Sequence, residues 1–178
     1  VIVKSGGLLR IANINFVAQP DVPTAVLESI DSEIILVDCT FTNIQSTVVI
    51  ADKYLTVTDC IFSFNSKPIE MLNGINCEIV RTFFNQNSIT SEVRSENIIL
   101  ENSFTYQSPF IFEGTDVSLD IDSSESQINA IADNLHVEGE YYKGKMYAIS
   151  KNCEIINAEF TINQLELLPD SDSTYLIR

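Results

Sequence analysis

Ile34-Ile35-Leu36-Val37-Asp38-Cys39-Thr40-Phe41 recurs as Leu55-Thr56-Val57-Thr58-Asp59-Cys60-Ile61-Phe62 and once more as Cys77-Glu78-Ile79-Val80-Arg81-Thr82-Phe83-Phe84. Apolar and polar residues alternate from Leu55 to Thr58 in the second copy, which is typical of a half-buried β-strand. An aromatic residue closes each copy. Further copies end at Phe16, Phe104 and Phe160, with a weaker one at Tyr141 or Tyr142. Repetition at a fixed period indicates a repeat architecture.

Polar turns between the copies keep the same period. Eight of them succeed one another at intervals of 21, 21, 21, 20, 19, 18 and 19 residues; they lie at Asp31, Asp52, Asn73, Arg94, Gly114, Asp133, Lys151 and Asp170. Three short β-type segments fit into each period, and no stretch has helical periodicity. Leucine is not the recurrent residue, which argues against a leucine-rich repeat, and a propeller blade needs about twice this period.

The period therefore predicts an all-β fold, a single parallel β-helix (β-solenoid) spanning residues 1–178 with about eight coils of 18–25 residues. We expect a right-handed coil, because the left-handed form usually keeps a strict hexapeptide rhythm that the drifting intervals lack. The first residue is Val1, and the chain ends in mid-repeat. We therefore expect the segment to be part of a longer chain.

Equivalent inward positions of successive coils should lie above one another, about 4.8 Å apart. This predicts an aromatic column formed by Phe16, Phe41, Phe62, Phe84, Phe104 and Phe160. An amide follows three residues after most of these aromatics and predicts a second, hydrogen-bonded ladder; it comprises Gln19, Asn65, Asn87, Gln107 and Asn163.

Charge and composition limit the partners. Ten basic and 25 acidic residues give a net charge of −15, which disfavours nucleic acid and anionic lipid. The apolar runs are too short for membrane insertion. One histidine, His136, and no tryptophan disfavour most hydrolase, metalloenzyme and aromatic-platform sugar-binding schemes.

The most enzyme-like set of residues is a predicted surface column just before the inward Cys or Thr position, formed by Asp38, Asp59, Arg81 and Glu101. Two stacked aspartates repel each other unless a cation or Arg81 lies near them. The column could hold calcium or bind substrate, or it could be a solvated corner with a surface ion pair. We favour the solvated corner, assign no catalytic residue, and expect no cofactor apart from calcium.

Other titratable residues point outward in this register. Asp120 and Asp122 face solvent if Leu119 and Ile121 face the core, and His136 points out between Leu135 and Val137. Paired carboxylates can act as acid and base, but no further histidine is present to support them. We interpret both features mainly as solvated surface.

The four cysteines are interpreted mainly as small buried hydrophobes. Cys39 and Cys60 occupy equivalent positions one coil apart, at the short end of the Cα separation for a disulfide, so a bridge between them stays open. Cys77 and Cys153 lie about four coils apart, or roughly 19 Å, and cannot pair with each other.

The tetrapeptide F-x-x-N, present at 62–65, 84–87 and 160–163, resembles the repeats of chlamydial polymorphic outer-membrane proteins and of large protist β-helix proteins. The companion G-G-A-[ILV] motif is missing, since Leu8 follows Gly6-Gly7. The resemblance implies a parallel β-helix located outside the cell or on its surface, where such proteins act as adhesins, coats or fibres.

Two functions follow as expectations. The first is a non-enzymatic structural or adhesive module of an extracellular surface or filament-forming protein, whose partners are neighbouring copies or flanking repeats packed end to end or laterally, or a glycan. The alternative is a polysaccharide-active β-helix enzyme of the pectin-lyase type, or a tailspike fragment. The Gly-Asp-Asp, Gly-His-Gly and Arg-x-Pro-x-x-Arg steps typical of such enzymes do not occur in the sequence.

Overall fold

The structure, a computed structural model, describes residues 1–4, 6–18, 26–139, 141–160, 165–167 and 174–177. In these ranges the chain forms eighteen β-strands and no helix. The strands of the first half are β1 (Ile2–Lys4), β2 (Leu8–Ala12), β3 (Asn15–Val17), β4 (Leu27–Ile30), β5 (Glu33–Val37), β6 (Thr40–Thr42), β7 (Thr47–Ala51), β8 (Tyr54–Thr58) and β9 (Ile61–Ser63). Those of the second half are β10 (Lys67–Val80), β11 (Phe83–Asn85), β12 (Ser91–Tyr106), β13 (Phe110–Glu125), β14 (Ile128–Glu138), β15 (Tyr141–Tyr142), β16 (Met146–Ile156), β17 (Leu165–Leu167) and β18 (Thr174–Ile177).

Strands pair in parallel with their equivalents in the neighbouring coils. One inward position can be followed through the described stack, along Leu9, Ile34, Leu55, Cys77, Ile98, Val117, Leu135, Cys153 and Tyr175. This arrangement confirms the predicted all-β parallel solenoid. The core lies inside the coil, where inward residues from all sides of each turn form one apolar cluster.

Two corners of the coil use left-handed backbone. Along the first corner the φ angles are positive at Asn13, Asp38, Asp59, Arg81 and Asn102, and along the second at Asn43, Phe64, Gln86 and Gln107. Aspartate and asparagine tolerate this conformation better than other residues with a side chain. The recurrence of such residues before and after the aromatic segment therefore reflects the sharp bends on either side of it.

The aromatic column is confirmed from Phe16 to Phe84. The rings of Phe16, Phe41, Phe62 and Phe84 are stacked, with successive centroids 4.7, 4.8 and 5.1 Å apart. Phe41, Phe62 and Phe84 are fully buried. The centroid spacing matches the separation of neighbouring strands, so each ring lies directly on the ring of the coil before it.

The prediction for Phe104 is wrong by one residue. Phe104 pairs with Phe83 on the outer surface, where its side chain is 43% exposed, and Thr105 takes the inward position beside Phe84. Threonine leaves room in the column, and the ring of Phe110 lies edge-on to Phe84, with centroids 4.8 Å apart. Phe160 is partly buried and packs against the core.

The amide ladder is confirmed at its centre. Asn65 and Asn87 are buried, and each accepts a backbone N–H bond through Oδ1 and donates through Nδ2 to a backbone carbonyl of the coil before it. The prediction that Gln107 belongs to this ladder is wrong. Gln107 is exposed at the left-handed corner, and the buried Ser108 accepts the bond from the backbone N–H of Asn87 instead. Gln19 and Asn163 lie outside the described residues.

A second inner ladder forms at the other corner of the aromatic segment. Cys39, Cys60, Thr82 and Ser103 are all buried, and each bonds the backbone carbonyl two residues earlier through its sulfur or oxygen. Each of the first three residues also donates its backbone N–H to the side chain of the equivalent residue in the following coil. Polar groups that the bends would otherwise leave without partners are thus satisfied within the stack.

We predict that Phe62→Ala lowers the free energy of unfolding by about 3–5 kcal/mol, because it opens a cavity in the centre of the aromatic column. Ile61→Ala is the matched control: its side chain is 40% exposed one residue earlier on the same strand, and the change should cost under about 1 kcal/mol. Urea denaturation followed by circular dichroism measures both values. Equal losses would contradict the register.

Candidate functional site

The structure brings Asp38, Asp59 and Arg81 together at the first left-handed corner. Arg81 binds Asp59 with two hydrogen bonds, from Nε to Oδ1 at 2.7 Å and from Nη2 to Oδ2 at 2.8 Å. Both side chains are exposed, at 55% for Arg81 and 37% for Asp59. The arginine therefore supplies the cation that the stacked aspartates need, in the bidentate geometry that suits a carboxylate.

Electrostatics at this corner favour the ion pair. The hydrogen bond from Arg81 holds the pKa of Asp59 below its ordinary value, and the positive charge of the guanidinium acts in the same direction. The bond to Asp59 raises the pKa of Arg81, and the charges of Asp59, Glu101 and Asp38 raise it further. Such a pair is stable against protonation, which suits a structural contact better than an acid or base.

Glu101 does not belong to the column in which it was predicted. It pairs with Val80, one position before Arg81, and Asn102 occupies the left-handed corner instead. The Nδ2 of Asn102 donates a hydrogen bond to the Glu101 carboxylate at 2.9 Å. The error is the same one-residue displacement that affected Phe104, since both positions belong to the same copy of the repeat.

A groove of about 600 Å³ lies on a different face, across β12, β13, β14, β16 and β18. An outward row of amides and one carboxylate runs along it, consisting of Asn97, Asp116, Asn134 and Asn152. Asn134 donates to Asp116 at 2.7 Å, and Asn152 donates to Asn134 at 2.9 Å. The sequence analysis missed this row, although Asn or Asp recurs there at nearly constant intervals immediately before an inward residue.

His136 lies in the groove, as its predicted outward orientation requires. Its Nδ1 is 3.4 Å from the carboxylate of Glu154 and its Nε2 is 3.6 Å from that of Glu138.

Asp120 pairs with Glu138 on the neighbouring strand. Burial raises the pKa of Asp120 above its ordinary value, and the charges of Glu138 and Asp122 raise it further. A carboxyl with raised pKa beside a second carboxyl group is an arrangement that acid–base catalysis uses.

Among the described residues, no three His, Cys, Asp or Glu side chains meet in a way that could hold a metal ion. The described part of the chain also has no helix long and apolar enough to cross a membrane.

All four cysteines are buried and free, so Cys39 and Cys60 form no disulfide. Burial raises the pKa of Cys60 and of Cys77 to about 12 and that of Cys153 to about 11, which leaves these thiols unreactive at neutral pH.

Comparison of the chain with models of protein families, with curated proteins and with solved structures finds no match in any of the three. The geometry described above is therefore the basis for assigning a function.

We predict that Asp59 titrates below the ordinary aspartate value of about 3.9 and that Arg81→Gln returns its pKa to that range, since the bidentate partner is lost. Glutamine is a suitable replacement because Gln86 and Gln107 adopt the same left-handed conformation. The stability gained from Asp59 is present above its unfolded pKa and is lost as the pH falls through the lower folded pKa.

An NMR titration of the side-chain carboxyl carbons measures this shift. Glu101→Gln is the control, because Glu101 contacts Asn102 and not Asp59. An Asp59 pKa that stays low in Arg81→Gln would show that another group holds it there.

Proposed function

We propose that the chain is a non-enzymatic structural or adhesive β-solenoid module of a protein that forms an extracellular surface or a filament. The proposal depends mainly on one observation: the most regular polar contacts join neighbouring coils to each other. Asn65, Asn87 and Thr82 point inward and bind the backbone of neighbouring coils. On the surface, the Asp59 carboxylate is already bound by Arg81. These groups hold neighbouring coils together.

The F-x-x-N resemblance supports the same proposal. In this chain the asparagines at 65 and 87 are buried members of a ladder, and the phenylalanines at 62 and 84 belong to the stacked column. The motif therefore encodes the coil, as expected if the chain is related to the surface β-helix repeats of chlamydial and protist proteins. An extracellular or cell-surface location, and partners that are flanking repeats, neighbouring copies or a glycan, belong to this proposal.

Electron microscopy of the native material that carries this chain tests the proposal, with gold-labelled antibody to mark the chain. We expect labelled continuous fibres or a surface coat, whose diffraction contains the inter-coil spacing of about 4.8 Å. Label confined to discrete particles that never form a coat or a fibre would contradict a structural role.

A polysaccharide-active protein is the second candidate, because Asp120 pairs with Glu138 and the Glu138 carboxylate lies 3.6 Å from His136, which lines the groove. In that case Asp120 would donate a proton to the leaving oxygen and Glu138 would be the second carboxyl group of the pair. A calcium requirement would instead favour the corner formed by Asp38 and Asp59.

Incubation of the folded chain with acidic and neutral polysaccharides, with and without calcium, separates the two candidates. The structural proposal predicts no cleavage product. The second candidate predicts cleavage that falls at least 100-fold in Asp120→Asn, or in Asp59→Ala if the corner is responsible, and that is unchanged in Glu113→Gln on another face.

A further inference from the structure

Over its first five coils, one face of the solenoid carries no charge among its described residues; charge begins in the next coil, where Glu125 pairs with Tyr106. The uncharged part consists of the outward side chains of β3, β6, β9, β11 and the end of β12, together with the corner that follows them: Asn15, Val17, Thr40, Thr42, Asn43, Ile61, Ser63, Phe64, Phe83, Asn85, Gln86, Phe104, Tyr106 and Gln107. We call this set the neutral face. Charged residues make up 20% of the chain and favour the surface, so about three of these positions would carry charge without a reason to avoid it.

Large apolar side chains are concentrated on the same face. Ile61 is 40% exposed, Phe83 38% and Phe104 43%, and these three residues occupy equivalent positions in successive coils. The rings of Phe83 and Phe104 meet edge to face, with centroids 6.4 Å apart and planes at 81°. Such rings form no common flat platform on which a sugar chain could stack, whereas they do offer ridges into which apolar side chains can pack.

Phe64 is a third and independent sign of a functional surface. It has a φ angle of +58° and its side chain is 48% exposed. A bulky residue in the left-handed region is strained, and asparagine occupies the same corner one coil earlier, at Asn43. An exposed ring therefore stands where a polar residue would suit the fold better, and such local strain is commonly retained for function.

We propose that the neutral face is a lateral interface at which a second copy of this chain binds face to face. The inference rests on the proposed structural function and names the surface through which neighbouring copies would meet. A net charge of −15 makes two copies repel each other, and the neutral face is where they can approach without bringing carboxylates together. A two-fold axis through it would place the ridge formed by Ile61, Phe83 and Phe104 against its own equivalent.

The size of the face sets the strength of the contact. Five strands about 4.8 Å apart, each about four residues long with its corner residue, form a patch of about 24 by 13 Å, or about 300 Å² on each copy. The two copies together bury about 600 Å², which is the size of a weak and transient contact. We therefore expect a weak dimer, with a Kd of about 0.1–1 mM.

Sedimentation velocity over a range of concentrations tests the interface. We expect the chain to dimerise reversibly, and Phe83→Glu to weaken dimerisation at least tenfold, because it would bury two unpaired carboxylates. Ile149→Glu is the matched control: Ile149 is also 38% exposed but lies on β16, away from the neutral face. A monomer up to about 1 mM, an unweakened Phe83→Glu dimer, or a dimer lost in Ile149→Glu would each overturn the proposal.

Cross-linking locates the interface independently. Asn85→Cys places a thiol in the neutral face, and Ser118→Cys places one of similar exposure in the groove. The native cysteines are buried and should not react. A bis-maleimide should join Asn85→Cys copies and leave Ser118→Cys copies separate; the reverse result would overturn the proposal.

Phe64→Asn separates folding from association. We expect the melting temperature to rise by about 2–4 °C as strain is relieved, while dimerisation weakens several-fold. A lower melting temperature would show that the ring serves the fold and would remove this support.

If the chain is monomeric but native fibres are still seen by microscopy, the interface is wrong and the structural function stands. If the monomer instead sediments with an insoluble neutral polysaccharide, the face is a glycan-binding surface and the dimer is overturned.

Discussion

Parallel stacking of each coil on the last, at about 4.8 Å, is the constraint on which the rest of the structure depends. It places every side chain directly above its equivalent, so a residue is compatible with the fold only if it tolerates a copy of itself or a complementary neighbour at that distance. Phenylalanine meets this requirement by ring stacking, as between Phe41 and Phe62. Asparagine meets it by using its side-chain amide as both acceptor and donor: Asn87 accepts from the backbone N–H of Asn65 and donates to the carbonyl of Phe62.

The same constraint explains why so many polar residues are buried in the solenoid. Each bend interrupts regular strand pairing and leaves backbone groups that must find partners away from water. Side chains of Cys60, Thr82 and Ser103 provide those partners, each bonding a carbonyl two residues before it. The inner ladders therefore belong to the coil itself, and sulfur, hydroxyl and amide can replace one another wherever the hydrogen-bonding role is kept.

The period, the parallel solenoid and the first four rings of the column could be predicted from the sequence because they depend on a repeated pattern. The errors at Phe104, Glu101 and Gln107 share one cause. Placing the only phenylalanine of this copy in the core shifts its register by one residue, whereas strand pairing puts Thr105 in the inward position. The preceding coil contains the same ambiguity, because Phe83 and Phe84 are adjacent and only the ring of Phe84 is buried in the core. The groove and the environment of Asp120 could not be predicted, because they depend on how outward side chains from several coils approach one another.

Outward positions are free of the packing rule that governs the core, and that freedom makes their composition informative. Water accepts charged and uncharged polar side chains alike, so nothing in coil formation requires charge to be absent from β6, β9 and β11 while it is abundant on the other faces. Stacking converts a periodic sequence into flat, continuous faces, and a neutral row repeated at the coil period becomes a neutral surface. The regularity that builds the fold thus also gives this face a constant strand spacing, and in the proposed interface two such faces would match over several coils at once.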